Sequence, residues 1–404
     1  MDSMTYIQLV LSEEVQRLLL VNPSQDVYQF LLKNQAHSQV ALLAEQLEGR
    51  QKAKFKLPHW FAASHVVFPA RISMEQCSSE LTAIFKASLV SGKNFIDLTG
   101  GFGVDDWAFS KQFETVYYLE QQAHLSQIAR HNFKVLGCDN VQVINEDGIA
   151  YLTQSTQHYD CIYLDPARRK ETQKVFRLAD CEPNIEEILP LLWTKTNQVL
   201  LKCSPLLDID LATKSLSHLC KVFVVAVENE CKELLFLLQK DWVKPVEIQA
   251  VNLKNNDNTE VFTFQKSEET FVEVAYGTPL DFLYEPNAAI LKSGAFKSVA
   301  HTFELHKLHP NSHLYTSESL RNDFPGRKFK VNSVLPFSKN QLKKLALPAK
   351  ANITTRNFPY STAELRKMTN IKDGGDSYLF FTTLIDSSLV VILCEKVNLG
   401  NFEC

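Results

Sequence analysis

The 404-residue chain has no long apolar run, no paired-cysteine motif and no strong excess of one charge. No stretch approaches the roughly 20 apolar residues that span a bilayer, which excludes an integral membrane protein. The N-terminus has no basic start before its first apolar stretch, so no secretory signal is predicted. The net charge of −4 argues against a uniformly basic nucleic-acid binder but leaves room for a basic patch.

The nine cysteines form no C-x-x-C pair and show no Cys/His metal-ligand spacing, so no metal site is predicted. An odd, scattered set of this kind indicates reduced thiols in a cytoplasm rather than a disulfide framework. With 45% hydrophobic and 22% charged residues, the chain is predicted to be a soluble globular protein of more than one domain.

Two patterns of hydrophobic residues divide the first 243 residues. Residues 1–90 have helical spacing, with a basic connection over 50–58 and a last helix predicted over 73–89. Residues 91–243 alternate short β-rich runs with helical stretches, which predicts an α/β domain with a parallel sheet covered on both faces. The seven predicted strands are 94–98, 116–120, 141–144, 161–165, 199–202, 222–227 and 234–238.

The last connection in this sheet is too short for a crossover helix. Only residues 228–232 separate the sixth predicted strand from the seventh. Parallel crossovers need a dozen or more residues, so the seventh strand is expected to return antiparallel as a hairpin. A seven-stranded sheet with one reversed strand differs from the arrangement of dinucleotide-dependent dehydrogenases.

The alternation ends after Trp242, and two further α+β units are predicted, over 244–324 and 325–404. In the first, strands are expected at 261–264 and 271–274 and a helix around 288–295. The second is expected to end in two strands, 378–384 and 389–394.

A glycine-rich segment follows the first predicted strand. Gly100, Gly101 and Gly103 come directly after Asp97 and let the backbone pass close to a ligand before a helix begins. The segment is not a G-x-G-x-x-G motif, because Asp105 stands where the third glycine would be. A negative charge at this helix start disfavours a pyrophosphate and tolerates a cationic ligand. A tight structural turn is the alternative interpretation.

Carboxylates also follow the next three predicted strands. Glu120, Asp147 and Asp165 come at the ends of the second, third and fourth strands. Ligands of open α/β sheets bind at the carboxyl ends of the strands, and an acid about 20 residues after the first strand binds ribose hydroxyls. Solvated loop acids are the alternative.

Together these residues resemble a class I S-adenosylmethionine-dependent methyltransferase, whose sheet order is 3-2-1-4-5-7-6. The cofactor is a sulfonium cation with a ribose and no phosphate, which an acidic glycine loop suits. By resemblance, Glu120 would bind the ribose hydroxyls, and Asp147 with Gly148 the adenine. The full set of cofactor-binding residues that the resemblance implies is Asp97, Thr99, Gly100, Gly101, Gly103, Glu120, Asp147, Gly148 and Asp165.

The segment Asp165-Pro-Ala-Arg168 resembles the Asp-Pro-Pro-(aromatic or Arg) motif of nucleic-acid methyltransferases. Ala167 replaces the second proline and Arg168 the aromatic residue. The resemblance implies that Asp165 accepts a hydrogen bond or a proton from the acceptor. Arg168 would stack on a base or hold a phosphate. A solvated cationic turn is the alternative for Arg168.

Cys203 follows the fifth strand and is followed by Ser204-Pro205. In uridine C5 methyltransferases a cysteine in this place, followed by Asn-Pro, attacks the pyrimidine ring. By this short resemblance Cys203 is a candidate nucleophile, and a buried, inert cysteine is the alternative.

The C-terminal part is basic. Residues 321–372 contain 12 lysines and arginines against two acids, a net +10 in a chain whose total is −4. The asymmetry indicates a phosphate-binding face, and residues 353–360 add aromatic rings. This part resembles a THUMP-like domain of a bacterial methyltransferase family known from Bacteroidetes. The motifs at Glu75–Ala83 and at Tyr284–Lys292, the latter in a ferredoxin-like insert, resemble the same family, and THUMP-type domains imply tRNA or rRNA as partner.

The sequence therefore predicts a cytoplasmic S-adenosylmethionine-dependent RNA methyltransferase. Two alternatives stay open: a methyltransferase for a small molecule or protein, and a non-catalytic RNA-binding module with a vestigial cofactor site. An NAD-dependent oxidoreductase is disfavoured, because Asp105 replaces the third glycine of the dinucleotide motif and because the sheet ends in a hairpin.

Overall fold

A computed structural model describes residues 2–21, 24–35, 37–168, 178–255, 258–339 and 347–397, without the side chains of Val21 and Arg168. The chain divides into two compact units. The first comprises residues 1–220 and 233–244, and the second comprises 221–232 and 245–404. The domain limits expected from the sequence stay predictions. None of the described helices is both long and apolar enough to cross a membrane.

The first unit begins with helices, as predicted for this region. Their core is made of Val15, Leu19, Phe30, Leu43 and Leu47. The helices are α1 (Ser3–Val10), α2 (Glu13–Val21), α3 (Val27–Lys33), α4 (Val40–Lys56), α5 (Pro58–Ala62), α6 (Arg71–Gln76) and α7 (Glu80–Ala87).

The single helix expected over 73–89 is wrong, because α6 and α7 are separate. Cys77 has an extended backbone that ends α6. Ser79 is also extended and begins α7, with its side chain accepting a hydrogen bond from the Thr82 amide.

The remaining elements up to residue 239 alternate between strands and helices. The strands are β1 (Gly92–Asp97), β2 (Phe113–Leu119), β3 (Val141–Ile144), β4 (Cys161–Leu164), β5 (Ala167–Arg168), β6 (Cys181–Glu182), β7 (Gln198–Cys203), β8 (Leu219–Val227) and β9 (Glu230–Gln239). The helices are α8 (Val104–Phe109), α9 (Ala123–Val135), α10 (Gly148–Gln154), α11 (Ile185–Leu192) and α12 (Ile209–Ser215), with a 3-10 turn at Leu178–Asp180.

The strands of the first unit lie in the order β3-β2-β1-β4-β7-β9. Every neighbouring pair from β3 to β7 is parallel. β9 is antiparallel to β7, with Gln198 opposite Gln239 and Cys203 opposite Leu234. The predicted α/β class and the reversed seventh strand are confirmed.

Burial explains why these segments fold in this way. All four residues of β4 are buried, as expected for a strand covered on both faces. The predicted inner face of α9 is also buried, including Leu125, Ile128 and Phe133. Gly137 follows this helix with φ +70°, the left-handed conformation that commonly ends helices.

The second unit contains two sets of strands. In the first set β8 pairs parallel with β10, which pairs antiparallel with β11. The second is a seven-stranded sheet in the order β13-β14-β12-β15-β18-β17-β16. These strands are β10 (Glu247–Leu253), β11 (Glu260–Gln265), β12 (Phe282–Pro286), β13 (His306–Lys307), β14 (Tyr315–Ser317), β15 (Gly326–Pro336), β16 (Asn352–Arg356), β17 (Ser377–Thr383) and β18 (Leu389–Lys396).

Some elements of this unit differ from the prediction. The strand–helix alternation ends as predicted, but β10, which was not predicted, pairs with β8. The strand predicted at 271–274 is wrong, because Phe271 ends a helix and residues 272–274 form no strand. The two terminal strands are confirmed as β17 and β18. The helices of this unit are α13 (Lys266–Phe271), α14 (Ala288–Ser293), α15 (Ser298–Thr302) and α16 (Thr362–Thr369).

Candidate active site at the carboxyl ends of the sheet

The four predicted carboxylates lie at the ends of four adjacent strands. Asp97 ends β1, while Glu120, Asp147 and Asp165 follow β2, β3 and β4. These four strands are neighbours and all run parallel, so their carboxyl ends share one edge of the sheet. The structure therefore brings together the strand ends that the sequence singled out.

The glycine loop between β1 and α8 needs its glycines for two different reasons. Gly103 begins α8 with φ +85°, a conformation that side-chain-bearing residues rarely adopt. Gly100 packs against Tyr118 so closely that an added Cβ would lie 2.3 Å from the ring. The loop is thus held tight against β2, and its backbone stays accessible where a ligand would lie.

Glu120 fixes this loop to the second strand. Its carboxylate accepts hydrogen bonds from the Gly101 amide (3.0 Å) and the Gln122 amide (2.7 Å). Burial raises the pKa of Glu120, against the effect of these amides. A carboxylate has about four lone-pair positions, so two remain for the ribose hydroxyls that the resemblance assigns to it.

Thr99 joins the ends of β1 and β4. Its amide and hydroxyl donate to Asp97 Oδ1 at 2.7 and 3.0 Å. The Asp165 amide in turn donates to Thr99 Oγ1 at 2.7 Å. Asp97 is buried, and burial together with the charges of Asp105 and Asp165 raises the pKa of Asp97 to about 7. Thr99 therefore orients both acids through one hydroxyl.

Asp106 is a buried acid that sequence reasoning missed. It is fully buried in α8, and neither carboxyl oxygen has a hydrogen-bond partner in the described part of the chain. Burial, followed by the charges of Asp97 and Asp105, raises the pKa of Asp106 well above its ordinary value. The Asp97–Asp106 pair therefore keeps a proton near neutral pH, because two like charges cannot both be desolvated cheaply.

Asp147 and Gly148 both stabilise the start of α10, after the third strand. Asp147 is exposed and caps α10, with Oδ1 accepting from the Ile149 and Ala150 amides at 3.0 and 2.9 Å. An added Cβ on Gly148 would lie 2.3 Å from the Leu98 carbonyl oxygen. This close approach places α10 against the glycine loop, while the adenine contact itself stays a prediction.

A buried cluster of charges lies behind Asp165. The Lys202 ammonium is 2.6 Å from Asp165 Oδ2 and 4.0 Å from Asp105 Oδ2. Burial alone would lower the pKa of Lys202, but the charges of Asp165, Asp105 and Glu233 outweigh it and raise that pKa. Lys202 therefore stays an ammonium next to the predicted catalytic acid.

The cluster continues into the core. Asp105 Oδ1 lies 3.2 Å from the fully buried Lys86 ammonium, which also donates to both carboxylate oxygens of Glu233 at 2.8 and 2.9 Å. Asp105 Oδ2 accepts from Ser78 and Tyr163, each at 2.9 Å. Burial raises the pKa of Asp105 less than the charges of Lys86 and Lys202 lower it. The only sequence signal for this cluster was the presence of charged residues within apolar stretches.

The other two predicted catalytic residues are Cys203, which is described in full, and Arg168, of which only the backbone is described. Cys203 is buried at the end of β7, and burial raises the pKa of its thiol well above the ordinary value. Such a thiol is neutral and weakly nucleophilic. The backbone of Arg168 pairs with Cys181 in a two-stranded ribbon, while its side chain, like Arg169 and Lys170, lies outside the described residues.

The donor set of this edge fits S-adenosylmethionine. The ligand would meet the carboxylates of Asp97, Glu120 and Asp165 and the backbone of the glycine loop. Carboxylates suit a positively charged sulfur and ribose hydroxyls, and they would repel a pyrophosphate. The part of the chain that the structure describes shows no cluster of three or more His, Cys, Asp or Glu that could hold a metal ion.

The basic segment of the second unit is partly neutralised by its own acids. Glu285 is buried and pairs with two arginines: Arg327 Nε at 2.6 Å and Arg356 Nη2 at 2.7 Å. Arg366 pairs with Asp373, and Arg321 with Glu304. The described cations that remain exposed are Lys330, Lys339, Lys350, Lys367 and Lys372, while Lys343 and Lys344 lie outside the described residues.

The aromatic rings of this segment take part in packing, and one of them lies beside a cation. Phe358 and Tyr360 pack against Phe337, and Phe358 also contacts Phe381. The Lys339 ammonium lies 5.9 Å from the centroid of the Tyr360 ring. The expectation that residues 353–360 offer rings beside cations is therefore met at Tyr360, while Phe358 packs against a hydrophobic cluster.

Comparisons with known proteins identify three family models along the chain. They are conserved hypothetical protein 95 over residues 71–197, a ferredoxin-like domain over 282–325 and a THUMP domain-like family over 326–396. Among curated proteins, no sequence matches the chain.

A solved structure matches this chain over nearly its full length. A presumed methyltransferase from Porphyromonas gingivalis W83 is 34% identical, with a TM-score of 0.88 over 98% of this chain and 100% of its own. A presumed methyltransferase from Streptococcus mutans in complex with SAH is 16% identical, covering 40% of this chain and 96% of its own with a TM-score of 0.29. An rRNA methylase from Streptococcus thermophilus is 12% identical, with coverages of 40% and 94% and a TM-score of 0.29. These last two likenesses are too distant to carry an argument.

The full-length match confirms the predicted family, and the family models confirm the ferredoxin-like and THUMP-like parts. The geometry of the strand ends suits the methyl donor of that family. The chain belongs to the methyltransferase family of the Porphyromonas protein, whose cofactor is S-adenosylmethionine.

Proposed function

We propose that the chain methylates a base of tRNA or rRNA in the cytoplasm, with the THUMP-like part binding the RNA. One observation carries the catalytic half of this proposal: four adjacent parallel strands end in carboxylates around a glycine loop, and Asp165 is the half-exposed member beside Lys202. None of the eight described cysteines is joined in a disulfide with another described residue, which suits a reducing compartment.

S-adenosylmethionine supplies an electrophilic methyl group on a positively charged sulfur. Glu120 would accept hydrogen bonds from its ribose hydroxyls, and Asp97 would lie beside its methionine part. Asp165 would accept a hydrogen bond or a proton from the acceptor atom. The acceptor's lone pair would form the new bond to the methyl carbon that the cofactor supplies, and the electron pair of the broken carbon–sulfur bond would stay on sulfur. Alignment of acceptor and methyl group would supply much of the rate enhancement.

RNA would be held by lysine–phosphate contacts. Phosphate contacts give affinity and position rather than sequence choice, and a base has to leave its stack to reach the methyl group. The exposed lysines of the basic segment support this role, because the described arginines there are engaged with carboxylates.

The catalytic part is tested with tritium-labelled S-adenosylmethionine and total RNA from a strain that lacks the gene, followed by mass spectrometry of the nucleosides. Asp165→Ala should reduce methyl transfer by about 100-fold or more, because a positioned acid–base group contributes about 10²–10⁴-fold. Its affinity for the cofactor, measured by calorimetry, should change by less than about threefold.

Glu114→Ala is the matched control, since Glu114 is an exposed carboxylate on β2. An Asp165→Ala enzyme with wild-type turnover would remove Asp165 from the mechanism. A wild-type protein that shows no saturable heat with S-adenosylmethionine would favour the alternative of a vestigial site.

Salt dependence separates RNA from a small-molecule or protein acceptor. If the five exposed lysines each contact one phosphate, the logarithm of the binding constant should fall with log salt at a slope of about −3.5 to −4.5. Salt-independent binding would favour the other acceptors.

Cys203 has no part in the proposed mechanism, because its thiol is buried and neutral. Cys203→Ser should therefore keep full turnover. Loss of turnover with normal cofactor binding would return Cys203 to the mechanism as a nucleophile.

A further inference from the structure

Lys202 lies between the half-exposed Asp165 and the charged residues beneath it. It is the penultimate residue of β7, and its side chain is 11% exposed, whereas that of Asp165 is 37% exposed. The ammonium lies 2.6 Å from Asp165 Oδ2. The acid is thus the more exposed partner of this salt bridge, and the lysine is the more buried one.

Asp165 is fixed at two separate points. Its amide donates to Thr99 Oγ1 at 2.7 Å, which sets the backbone, and Lys202 holds one carboxylate oxygen. In the described part of the chain no residue donates to the other oxygen, Oδ1. Among the described residues, Oδ1 is therefore the oxygen of Asp165 that can receive a hydrogen from an acceptor.

Lys202 is itself anchored by the core. Asp105 lies 4.0 Å from its ammonium, and Tyr163 holds the Asp105 carboxylate at 2.9 Å. Lys86 then links Asp105 to Glu233. The ammonium is therefore held between one buried acid and one half-exposed acid.

The charge balance of this cluster is uneven. It contains two ammonium groups, Lys86 and Lys202, and three carboxylates, Asp105, Glu233 and Asp165. One negative charge is left over, and Asp165 is the most exposed of the three acids.

We infer that Lys202 is the positioning residue for Asp165. Its ammonium orients the carboxylate, so that Oδ1 is presented to the acceptor as a fixed hydrogen-bond acceptor. This inference rests on the proposed role of Asp165 in methyl transfer.

The test compares Lys202→Met with Lys202→Arg, in the assay with labelled S-adenosylmethionine and total RNA from the deletion strain. Lys202→Met should lower kcat about 100-fold, because a misplacement of about 1 Å costs roughly that much. The KM for RNA and the affinity for the cofactor should change by less than about threefold. Lys202→Arg keeps the charge and should recover at least about a tenth of wild-type kcat.

The decisive measurement is the double mutant with Asp165→Asn. If Lys202 acts through Asp165, then Lys202→Met should cause less than a threefold further loss in the Asp165→Asn background. An undiminished loss in that background, or an unchanged kcat in the single variant, would overturn the inference while leaving the proposed function intact.

A control variant and a substitute variant complete the experiment. Lys240→Met removes a lysine that bonds a backbone carbonyl away from the site and should leave kcat unchanged. If Lys202→Met does not fold, Lys202→Gln replaces it, since the amide keeps a donor without the charge, and the same losses are expected. A wild-type enzyme that binds the cofactor but methylates no RNA would overturn the proposed function, and this inference with it.

Discussion

Each unit of the protein buries charged residues, but the two clusters differ in balance and surroundings. In the first unit, three acids meet two lysines, and the surplus negative charge ends at the half-exposed Asp165. In the second unit, one buried acid, Glu285, meets two half-exposed arginines, Arg327 and Arg356. In both clusters the surplus charge lies on half-exposed groups, so a surplus charge alone does not indicate a reactive site. What singles out Asp165 as the predicted reactive group is its place at the carboxyl edge of a parallel sheet.

Sequence position supports this distinction. Asp165 follows a strand at the carboxyl edge of a parallel sheet, whereas Glu285 lies within β12, directly opposite Arg327 in the neighbouring strand β15. Glu285 belongs to the motif Tyr284–Lys292, and the motif's other polar residues are structural as well. The Tyr284 hydroxyl contacts Ser317, and Asn287 caps α14.

The largest expected effect is on the first cluster. Lys86→Met leaves Glu233 buried without its main cation, so the free energy of unfolding should fall by about 3–5 kcal/mol. All four tryptophans lie in the first unit, so urea unfolding followed by tryptophan fluorescence reports on that unit. Glu233→Gln in the Lys86→Met background should recover part of the loss. An unchanged unfolding midpoint would show that this cluster contributes no net stability.

A smaller effect is expected in the second unit. Glu285→Gln leaves Arg327 and Arg356 facing each other without their shared carboxylate, but both guanidinium groups reach solvent. We expect a loss of about 2 kcal/mol after allowing for that screening. Far-UV circular dichroism should shift in urea, while the tryptophan transition and cofactor affinity should not. A matching loss of cofactor affinity would contradict a purely structural role for Glu285.

The smallest expected effect over one pH unit concerns the acids Asp97 and Asp106. The folded-state pKa of Asp97 is raised to about 7, above an unfolded value of about 3.9. The folded state therefore holds protons that the unfolded state has lost, and these acids make stability fall as the pH rises from about 4 to 7. Asp106→Asn removes one of the two acids, so its stability relative to wild type should rise by up to about 1 kcal/mol for each pH unit in that range.

Tryptophan-monitored urea unfolding at pH 4.5 and 7 measures this difference. An exposed acid, as in Asp139→Asn, is the control and should give a flat difference between the two pH values. A difference of the same size for both variants would show that Asp97 and Asp106 do not share a proton.

Much of the first unit was predictable from local patterns. The apolar runs located the strands, and the short connection before β9 predicted its reversal. The glycines and the acids at the ends of β1 to β4 followed from the chemistry of a parallel sheet edge. The pattern of residues 353–360 could not tell Tyr360, which lies beside Lys339, from Phe358, which packs against a hydrophobic cluster.

The sequence by itself determined the position of each carboxylate relative to its own strand. This is because the residues at which strands, turns and helices begin depend on their neighbours in the chain. What the tertiary structure decided is which distant charges meet. Lys86 and Glu233 are 147 residues apart, and Glu285 and Arg356 are 71 apart. Such pairs form only when separate elements pack together. Burial in the packed structure then determines how strongly the charged side chains interact and how far their pKa values shift. A local pattern of residues contains neither kind of information.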